Sequence, residues 1–235
     1  AHSVHAEVTG LPSDRRYFYR FHAGEATSPL GRTRTAPAPE AGVGRLRIAL
    51  ASCQHYEQGE FTLHREIAAR DLDLVLFVGD YLYESSNARL RIRPHEAAQP
   101  TTLEGFRQRH VTYKLDAALR AAHAAHPWVL TWDDHEVEND YANGQSENGD
   151  PADDFLRRRS AAYQAYYENM PLRRTARPVG PDMRLFTNTS FGDLAHFVLL
   201  DGRQHRSDQP CGVPGALGGR LVPGDCAERA AEART

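Results

Sequence analysis

Short apolar runs that recur along the chain are the feature that most restricts its fold. The run at residues 72–78 is almost continuously apolar, which is typical of a strand in a sheet covered on both faces. Similar runs occupy residues 46–51, 128–130 and 194–200. Segments with helical periodicity lie between them, and this alternation of strands with helices favours an α/β fold.

Each apolar run is followed by a residue that can bind a ligand. Cys53, Asp80, the pair Asp133 and Asp134, and Asp201 occupy these places. In open α/β sheets, ligands bind outside the carboxyl ends of the strands. The four strand ends are therefore predicted to deliver a thiol and several carboxylates to one rim of the sheet.

The densest set of ionisable groups lies at residues 131–141. Asp133, Asp134, His135 and Glu136 are consecutive, and they cannot all be buried without partners because unpaired charges are costly in a core. Carboxylate oxygens bind hard cations, and histidine binds transition metals or transfers protons. A metal centre is one interpretation, and a solvated acidic loop that caps the next helix is the simpler alternative.

A thiol and a phenol near these carboxylates indicate the metal that such a centre would hold. Tyr83 follows Asp80 by three residues, and Cys53 ends another predicted strand. Thiolate and phenolate together are expected to bind ferric iron rather than zinc or magnesium alone. The simpler alternatives are that Cys53 is a small buried hydrophobic residue and that Tyr83 is an aromatic residue at the rim.

The composition restricts the partners of the chain. Its net charge of -3 gives no indication of a nucleic-acid partner, so no stable nucleic-acid complex is expected. No apolar run is long enough to form a transmembrane helix. Cys211 and Cys226 lie in a loop rich in glycine and proline, which cannot build a core, and we expect them to form a disulfide. Such a disulfide would indicate an oxidising compartment.

The first residues have a β-rich pattern. The turn at Leu11 and Pro12, followed by Tyr17, resembles the tyrosine corner of an immunoglobulin or fibronectin type III sandwich. A sandwich of this kind needs about seven strands, so the pattern predicts only its last three. The expected strands are residues 4–8, 16–21 and 31–35, and a stiff linker rich in alanine and proline follows at residues 36–42.

Helical periodicity predicts three helices at residues 61–70, 101–125 and 151–170. Residues 85–100 are expected to form an exposed excursion. In the second helix, Leu115, Leu119 and Ala122 should share one face. In the third, Asp150 should be the N-cap before Pro151. Its aromatic residues are expected to pack in the core rather than to contact a cofactor, and these are Tyr163, Tyr166 and Tyr167.

Five short motifs stand in order along the chain. They are Ala-Ser-Cys-Gln at 51–54, Gly-Asp-Tyr-Leu-Tyr-Glu at 79–84, Trp-Asp-Asp-His-Glu-Val-Glu-Asn-Asp-Tyr at 132–141, Ala-Ala-Tyr-Gln-Ala-Tyr-Tyr at 161–167, and Leu-Asp-Gly-Arg-Gln at 200–204. As a set they resemble the alkaline phosphatase D family, which belongs to the calcineurin-like metallophosphoesterases. The resemblance covers the whole chain, including the β-rich start.

The resemblance implies two domains. Residues 1–39 would be the C-terminal strands of an immunoglobulin/fibronectin-like β-sandwich with its linker. Residues 40–235 would be the N-terminal part of a metallophosphatase domain. The implied fold is α/β, with metallophosphoesterase-type sheet layers flanked by helices and incomplete in this chain.

The resemblance also implies a centre that holds ferric iron (Fe3+) and calcium (Ca2+). It places Cys53 and Tyr83 on the iron and Asp80 between the two metals. Asp134 would be a ligand on the calcium side. Asp133 is a further candidate metal ligand.

The resemblance assigns a catalytic role to His135, which would face the phosphate. This histidine would stabilise developing charge or protonate the leaving oxygen. Asp201 and Arg203 match the family's pattern more weakly, and no definite role follows for them.

The implied activity is hydrolysis of phosphate mono- or diesters by a metal-activated nucleophile in a secreted, periplasmic or cell-surface enzyme. A phospholipase-D-like diesterase and a non-catalytic cation-binding module are the alternatives. The resemblance further implies that the chain is an internal piece of a longer protein. On that basis we expect the isolated chain to retain metal weakly and to be a poor catalyst.

Overall fold

The computed structural model describes residues 3–87, 89, 91–211 and 226, and its architecture is mixed α/β. The N-terminal residues form two antiparallel strand pairs, β1 (Arg16–Tyr19) with β4 (Gly31–Arg34) and β2 (His22–Ala23) with β3 (Ala26–Thr27). The Tyr17 hydroxyl donates a hydrogen bond to the Pro12 carbonyl at 3.3 Å, as expected of a tyrosine corner. That these strands belong to an immunoglobulin/fibronectin-like sandwich stays a prediction.

The prediction of a strand at residues 4–8 is wrong. Within the described residues no strand precedes Arg16, and Val4 and Val8 are exposed. His5 instead stacks on the ring of Tyr167, with centroids 4.0 Å apart, and its Nδ1 lies 3.0 Å from the Leu172 carbonyl oxygen. In the described structure residues 4–8 pair with no neighbouring strand, and the side-chain contacts of His5 hold them instead.

Three parallel strands form the sheet that positions the site. They are β5 (Ile48–Ala51), β6 (Leu74–Val78) and β7 (Trp128–Thr131), adjacent in that order. Val75 and Phe77 of the central strand are fully buried in the core, as is expected of a covered strand. Because the strands are parallel, their carboxyl ends lie at one edge of the sheet.

Within the described part of the chain, four α-helices accompany this sheet, and these are α1 (Thr62–Ala69), α2 (Leu103–Lys114), α3 (Ala117–Ala125) and α4 (Ala152–Asn169). The single helix predicted at 101–125 is therefore two helices. The Asp116 carboxylate accepts the N–H groups of Ala118 and Leu119 at 2.9 and 3.1 Å and so caps α3. Leu119 and Ala122 are buried, but Leu115 lies between the helices and is 67% exposed, so its predicted place on the buried face is wrong.

Helix α4 differs from the prediction only at its start. Pro151 occupies the N-cap position and the Asp150 side chain does not cap the helix. Its carboxylate instead pairs with Arg158 at 3.0 Å. The packing role predicted for the aromatic residues of this helix is confirmed, since Tyr163, Tyr166 and Tyr167 are all buried.

Two further strands form an antiparallel hairpin, β8 (Thr187–Phe191) and β9 (Ala195–Leu199). The apolar pattern did not predict β8, and it predicted β9 as a buried strand. That prediction is wrong, because Val198 is 63% exposed and the adjoining Leu200 is 71% exposed in the described structure. Thr131 at the end of β7 donates to the Leu200 carbonyl at 3.0 Å. This contact brings the segment after β9 to the edge of the parallel sheet.

The predicted disulfide is present between Cys211 and Cys226, whose Cα atoms are 6.0 Å apart. The sequence also predicts the start of a helix near residues 226–235, and the residues after Cys226 lie outside the described part of the chain. Among the helices that the structure describes, none combines the length and the apolar character that a membrane span requires.

Candidate metal centre

Three strand-end loops meet at the carboxyl edge of the parallel sheet. The loop after β5 is hydrogen-bonded to the loop after β6, because the N–H groups of Cys53 and Gln54 donate to the carbonyls of Gly79 and Asp80, both at 3.1 Å. The loop after β7 brings Asp134 to the same edge. The sheet therefore positions residues that are distant in sequence beside one another.

The backbone at these strand ends is held in an uncommon conformation. Cys53 and Asp80 both have φ of 56°, in the left-handed region that residues other than glycine rarely adopt. Gly79 has φ of 108°, and a Cβ atom there would lie 2.6 Å from the backbone nitrogen of Asp133. Only glycine permits the two loops to approach so closely. Such conformations persist where the surrounding structure enforces them, and they often mark functional sites.

A compact cluster of potential metal ligands forms at this edge. Asp80, Asp134 and His135 each offer one ligand atom within 4.8 Å of the others. Both aspartates are buried. The Tyr83 hydroxyl donates to Asp80 Oδ2 at 3.0 Å, whereas Asp80 Oδ1 is buried and has no hydrogen-bond partner in the described part of the chain. A buried carboxylate oxygen of this kind requires a partner.

The charges around Asp80 favour a bound cation. Burial raises the pKa of Asp80 and the charge of Asp134 raises it further, although the charge of His135 acts in the opposite direction. Two buried carboxylates this close repel each other, and a cation between them removes that repulsion. The unpartnered oxygen and the donor types therefore fit a metal ion.

Cys53 and Tyr83 lie beside the same carboxylate. The Cys53 thiol is exposed, and its pKa is raised by burial of part of the residue and by the charge of Asp80. Burial and the same aspartate raise the pKa of Tyr83. Both groups are thus protonated in the absence of a metal, and they become anionic ligands when a metal binds.

His135 is held by a buried acid. Its Nδ1 lies 2.8 Å from Glu84 Oε2, and Glu84 Oε1 accepts the N–H of Asn139 at 2.9 Å. Burial lowers the pKa of His135, but the hydrogen bond and charge of Glu84, with the charges of Asp134 and Asp80, raise it to about 9. The imidazole is therefore positively charged at neutral pH. A charged imidazole suits an anion or proton transfer better than it suits metal coordination.

Two acids that the sequence places in the dense stretch have other partners. Glu136 is fully buried and accepts the N–H groups of Tyr81 at 2.6 Å and Asp133 at 3.0 Å, so it joins the loops after β6 and β7. Burial raises the pKa of Glu136 to about 8. The Asp133 carboxylate lies outside the cluster and contacts Arg203 Nε at 2.5 Å.

Asp201 also lies outside the cluster of ligands. Its Oδ1 accepts the N–H groups of Arg203 at 3.0 Å and Gln204 at 2.9 Å, so it shapes the loop after β9. The prediction that four strand ends supply one rim therefore holds for the three strands of the parallel sheet. The fourth strand belongs to the hairpin and contributes Arg203 instead of a carboxylate.

The segment at residues 85–100 is anchored to the domain rather than simply exposed. The buried carboxylate of Glu57 accepts hydrogen bonds from the Ser86 hydroxyl and from the N–H groups of Asn87 and His95. The buried guanidinium of Arg109 donates to main-chain carbonyls at both ends of this segment, which are those of Tyr83, Glu84, Ala97 and Ala98. The sequence did not predict these anchors, and it gave Glu84 no role beyond its place in the motif at residues 79–84.

A cleft opens beside the cluster. Its volume is ≈ 480 Å³, and Tyr83 and His135 form part of its wall. The Tyr83 ring packs between the rings of His55 and His135, with centroids 4.4 and 4.0 Å away. Polar groups from the anchored segment and from the turn before α1 complete the lining, and these are Gln58, Ser85, Ser86, Asn87 and Arg89.

Comparison with known proteins gives concordant results. The family model described as PhoD-like phosphatase matches residues 48–235, and the model of the PhoD-like phosphatase N-terminal domain matches residues 1–37. Alkaline phosphatase D of Bacillus subtilis (strain 168) is 50% identical over 214 residues, and the match covers 89% of this chain and 37% of that protein. A solved structure titled "Structure of PhoD" superimposes with a TM-score of 0.84 at 49% identity, covering 86% of this chain and 40% of the other. The chain thus spans about two fifths of the length of these relatives.

Proposed function

The chain belongs to the PhoD-like phosphatase family, and we propose that it hydrolyses phosphate esters at the cluster of Asp80, Asp134 and His135. The unpartnered buried oxygen of Asp80, next to a second buried carboxylate, is the observation that carries this proposal. The named relatives are phosphatases. The phospholipase-like and non-catalytic alternatives have no such support.

Each residue of the cluster has a distinct task in this proposal. Cys53 and Tyr83 would hold ferric iron, Asp134 would hold calcium, and Asp80 would contact both metals. The chemistry supplied by these metals is neutralisation of the phosphate charge and activation of a water molecule. The ring of His135 binds the phosphate and donates a proton to the leaving oxygen. Glu84 orients that ring through its contact with Nδ1.

A phosphate-ester assay tests the proposal. Hydrolysis of p-nitrophenyl phosphate and of bis(p-nitrophenyl) phosphate should require iron and calcium, and it should stop when a chelator removes them. Restoring both metals should restore the activity. Because the isolated chain is expected to be a poor catalyst, the assay uses a protein of the relatives' full length. Such a protein that binds both metals and hydrolyses neither ester would exclude the proposed function.

The location is also part of the proposal. We propose that the protein is secreted or exposed at the cell surface, because the Cys211–Cys226 disulfide requires an oxidising compartment. The relative from Bacillus subtilis is an alkaline phosphatase, which is consistent with this location.

Replacing Cys53 by serine should weaken iron binding while the fold stays intact. The side chain is exposed and contributes little to the core, but a thiolate is a stronger ligand for iron than a hydroxyl group. Iron-loaded wild-type chain should show a thiolate- or phenolate-to-iron absorption band that is lost or shifted in the variant. An identical spectrum with an equal iron content would show that Cys53 does not bind the metal.

Replacing Glu84 by glutamine should lower kcat/KM by about 10- to 100-fold, as is usual for a group that orients a catalytic residue. The charge of Glu84 raises the pKa of His135. Its loss therefore lowers that pKa, and the alkaline limb of the pH–rate profile should move to lower pH. Alkyl phosphates should lose more activity than p-nitrophenyl phosphate, because p-nitrophenolate leaves without protonation.

The matched control for this prediction is Glu96→Gln. Glu96 is an exposed acid in the anchored segment, so its replacement should leave the pH profile and the substrate order unchanged. If Glu84→Gln affected alkyl and aryl esters equally and left the pH profile in place, Glu84 would have only a structural role.

A further inference from the structure

Arg203 lies among three aspartates at the margin of the metal cluster. Its Nε contacts Asp133 Oδ1 at 2.5 Å, its Nη1 contacts Asp140 Oδ1 at 3.0 Å, and its Nη2 lies 3.5 Å from Asp134 Oδ2. The side chain is only 12% exposed. A single guanidinium therefore neutralises carboxylates that converge from one loop.

The loop after β9 holds this arginine in place through its main chain. The Asp201 carboxylate accepts the Arg203 N–H at 3.0 Å, and the Arg203 carbonyl accepts the N–H of Asn143 at 2.9 Å. Both contacts are made by the backbone of Arg203, so they do not depend on its side-chain charge. The guanidinium is thus carried to the aspartates by a loop that is fixed independently.

Two donors hold the Asp134 carboxylate. Its Oδ2 accepts the N–H of Asp140 at 2.5 Å and lies 3.5 Å from Arg203 Nη2. The same carboxylate supplies one oxygen to the cluster with Asp80 and His135. The guanidinium and the Asp140 amide therefore set the orientation of the carboxylate that the metal would use.

Carboxylate oxygens gathered in this way are the ligands that calcium prefers. The planar fork of arginine can contact several carboxylates at once, which a lysine ammonium does less well. We propose that Arg203 is a built-in cation that keeps Asp133 and Asp140 from binding metal and leaves Asp80 and Asp134 as the metal-binding aspartates. This inference rests on the proposed function only in assuming that metal binds at Asp80 and Asp134.

The proposal makes Arg203 a positioning residue and removes Asp133 from the candidate ligands. Metal binding distinguishes these assignments without reference to activity. In calcium titrations of the 235-residue chain by calorimetry, Asp133→Asn should keep the calcium affinity within about 3-fold of wild type. Asp134→Asn should lower it by about 100-fold or more, because a direct ligand is lost.

Replacing Arg203 by methionine should free Asp133, leave Asp140 with Arg206 alone at 3.3 Å, and allow one further calcium ion to bind. Methionine retains most of the length of the side chain and removes the charge. The matched control is Arg206→Met, because Arg206 contacts only Asp140, at 3.3 Å, among these aspartates. That variant should keep the wild-type calcium stoichiometry.

The outcomes separate this proposal from the proposed function. A large loss of calcium affinity in Asp133→Asn overturns it, as does an unchanged stoichiometry in folded Arg203→Met. A wild-type chain that binds no divalent cation overturns it as well. If Arg203→Met does not fold, the calcium affinities of Asp133→Asn and Asp134→Asn still test the proposal. Calcium binding that follows the expected pattern, without hydrolysis of phosphate esters, excludes the proposed function alone.

Discussion

Replacing Asp80 by asparagine should lower kcat/KM by about 1,000-fold or more while making the metal-free chain more stable. Metal ions contribute several kcal/mol to stabilising charge in phosphate transfer, and each 1.4 kcal/mol corresponds to about tenfold in rate. The asparagine side chain would retain the shape of the aspartate but not the anionic oxygen that has no partner in the described residues. The metal content of the purified variant should fall together with the rate.

The expected gain in stability follows from the electrostatics of the same residue. Burial and the charge of Asp134 raise the pKa of Asp80, so ionised Asp80 costs folding free energy near neutral pH. A neutral amide removes that cost, and the midpoint of thermal unfolding should rise in the absence of metal. Opposite changes in activity and stability are typical of functional sites that are maintained at a cost to stability.

The matched control for this prediction is Asp153→Asn. Asp153 is exposed in the first turn of α4, so its replacement should change kcat/KM by less than about 2-fold. Activity of Asp80→Asn within about 3-fold of wild type, with undiminished metal content, would contradict the assignment of Asp80. Loss of activity with loss of folded structure would contradict the stability argument.

The parts of the site that could be predicted from sequence are those fixed by the parallel sheet. Apolar runs predicted β5, β6 and β7, and parallel strands place their carboxyl ends at one edge. The proximity of Asp80 to Asp134 follows from those two facts alone. The family was also evident from the ordered motifs, and the resemblance to alkaline phosphatase D is confirmed.

The contacts that determine which carboxylates join the metal cluster could not be predicted from the apolar runs. Asp133 and Asp134 are adjacent and chemically identical, yet only Asp134 joins the cluster with Asp80, whereas Asp133 is hydrogen-bonded to Arg203 Nε. The difference arises because Arg203 enters from a hairpin outside the parallel sheet. Apolar content alone suggested that β9 was another strand of that sheet, and it carries no information about which strand pairs with which.

Local hydrogen bonds similarly decided where helices begin and end. Apolar periodicity at residues 101–125 continues through Leu115, but the Asp116 carboxylate caps a new helix there. Asp150 had the residue type of an N-cap, but its carboxylate is taken by Arg158. In both places a specific partner outweighed the average preference of the residue type.

Replacing Glu57 by glutamine should lower the free energy of unfolding by about 3 kcal/mol at pH 7, because each buried donor left without an acceptor costs about 1–3 kcal/mol. The Glu57 side chain is fully buried. Its carboxylate accepts the Ser86 hydroxyl at 2.7 Å and the N–H groups of Asn87 at 2.7 Å and His95 at 2.8 Å. Glutamine has one acceptor oxygen fewer and would direct an NH₂ group at these donors.

The same carboxylate should make stability depend on pH. Burial on its own would raise the pKa of Glu57, but the hydrogen bonds from His95, Ser86 and Asn87 outweigh it and lower the pKa to about 2, from an ordinary value of 4.5. A depressed pKa stabilises the fold above the ordinary value, and this contribution is lost as the pH falls towards the folded value. The difference between wild type and Glu57→Gln should therefore shrink by about two thirds between pH 7 and pH 3.

Urea unfolding at both pH values measures this difference, with Glu66→Gln as the matched control. Glu66 carries the same side chain, but it is exposed and pairs with Arg70 at 3.5 Å one helical turn away. An exposed pair of this kind contributes less than about 1 kcal/mol, so the control should differ little from wild type. If Glu57→Gln matched the control at pH 7, Glu57 would not be the anchor of residues 85–100. The hydrogen bonds that Arg109 donates to the main chain would then have to hold the wall of the cleft beside His135.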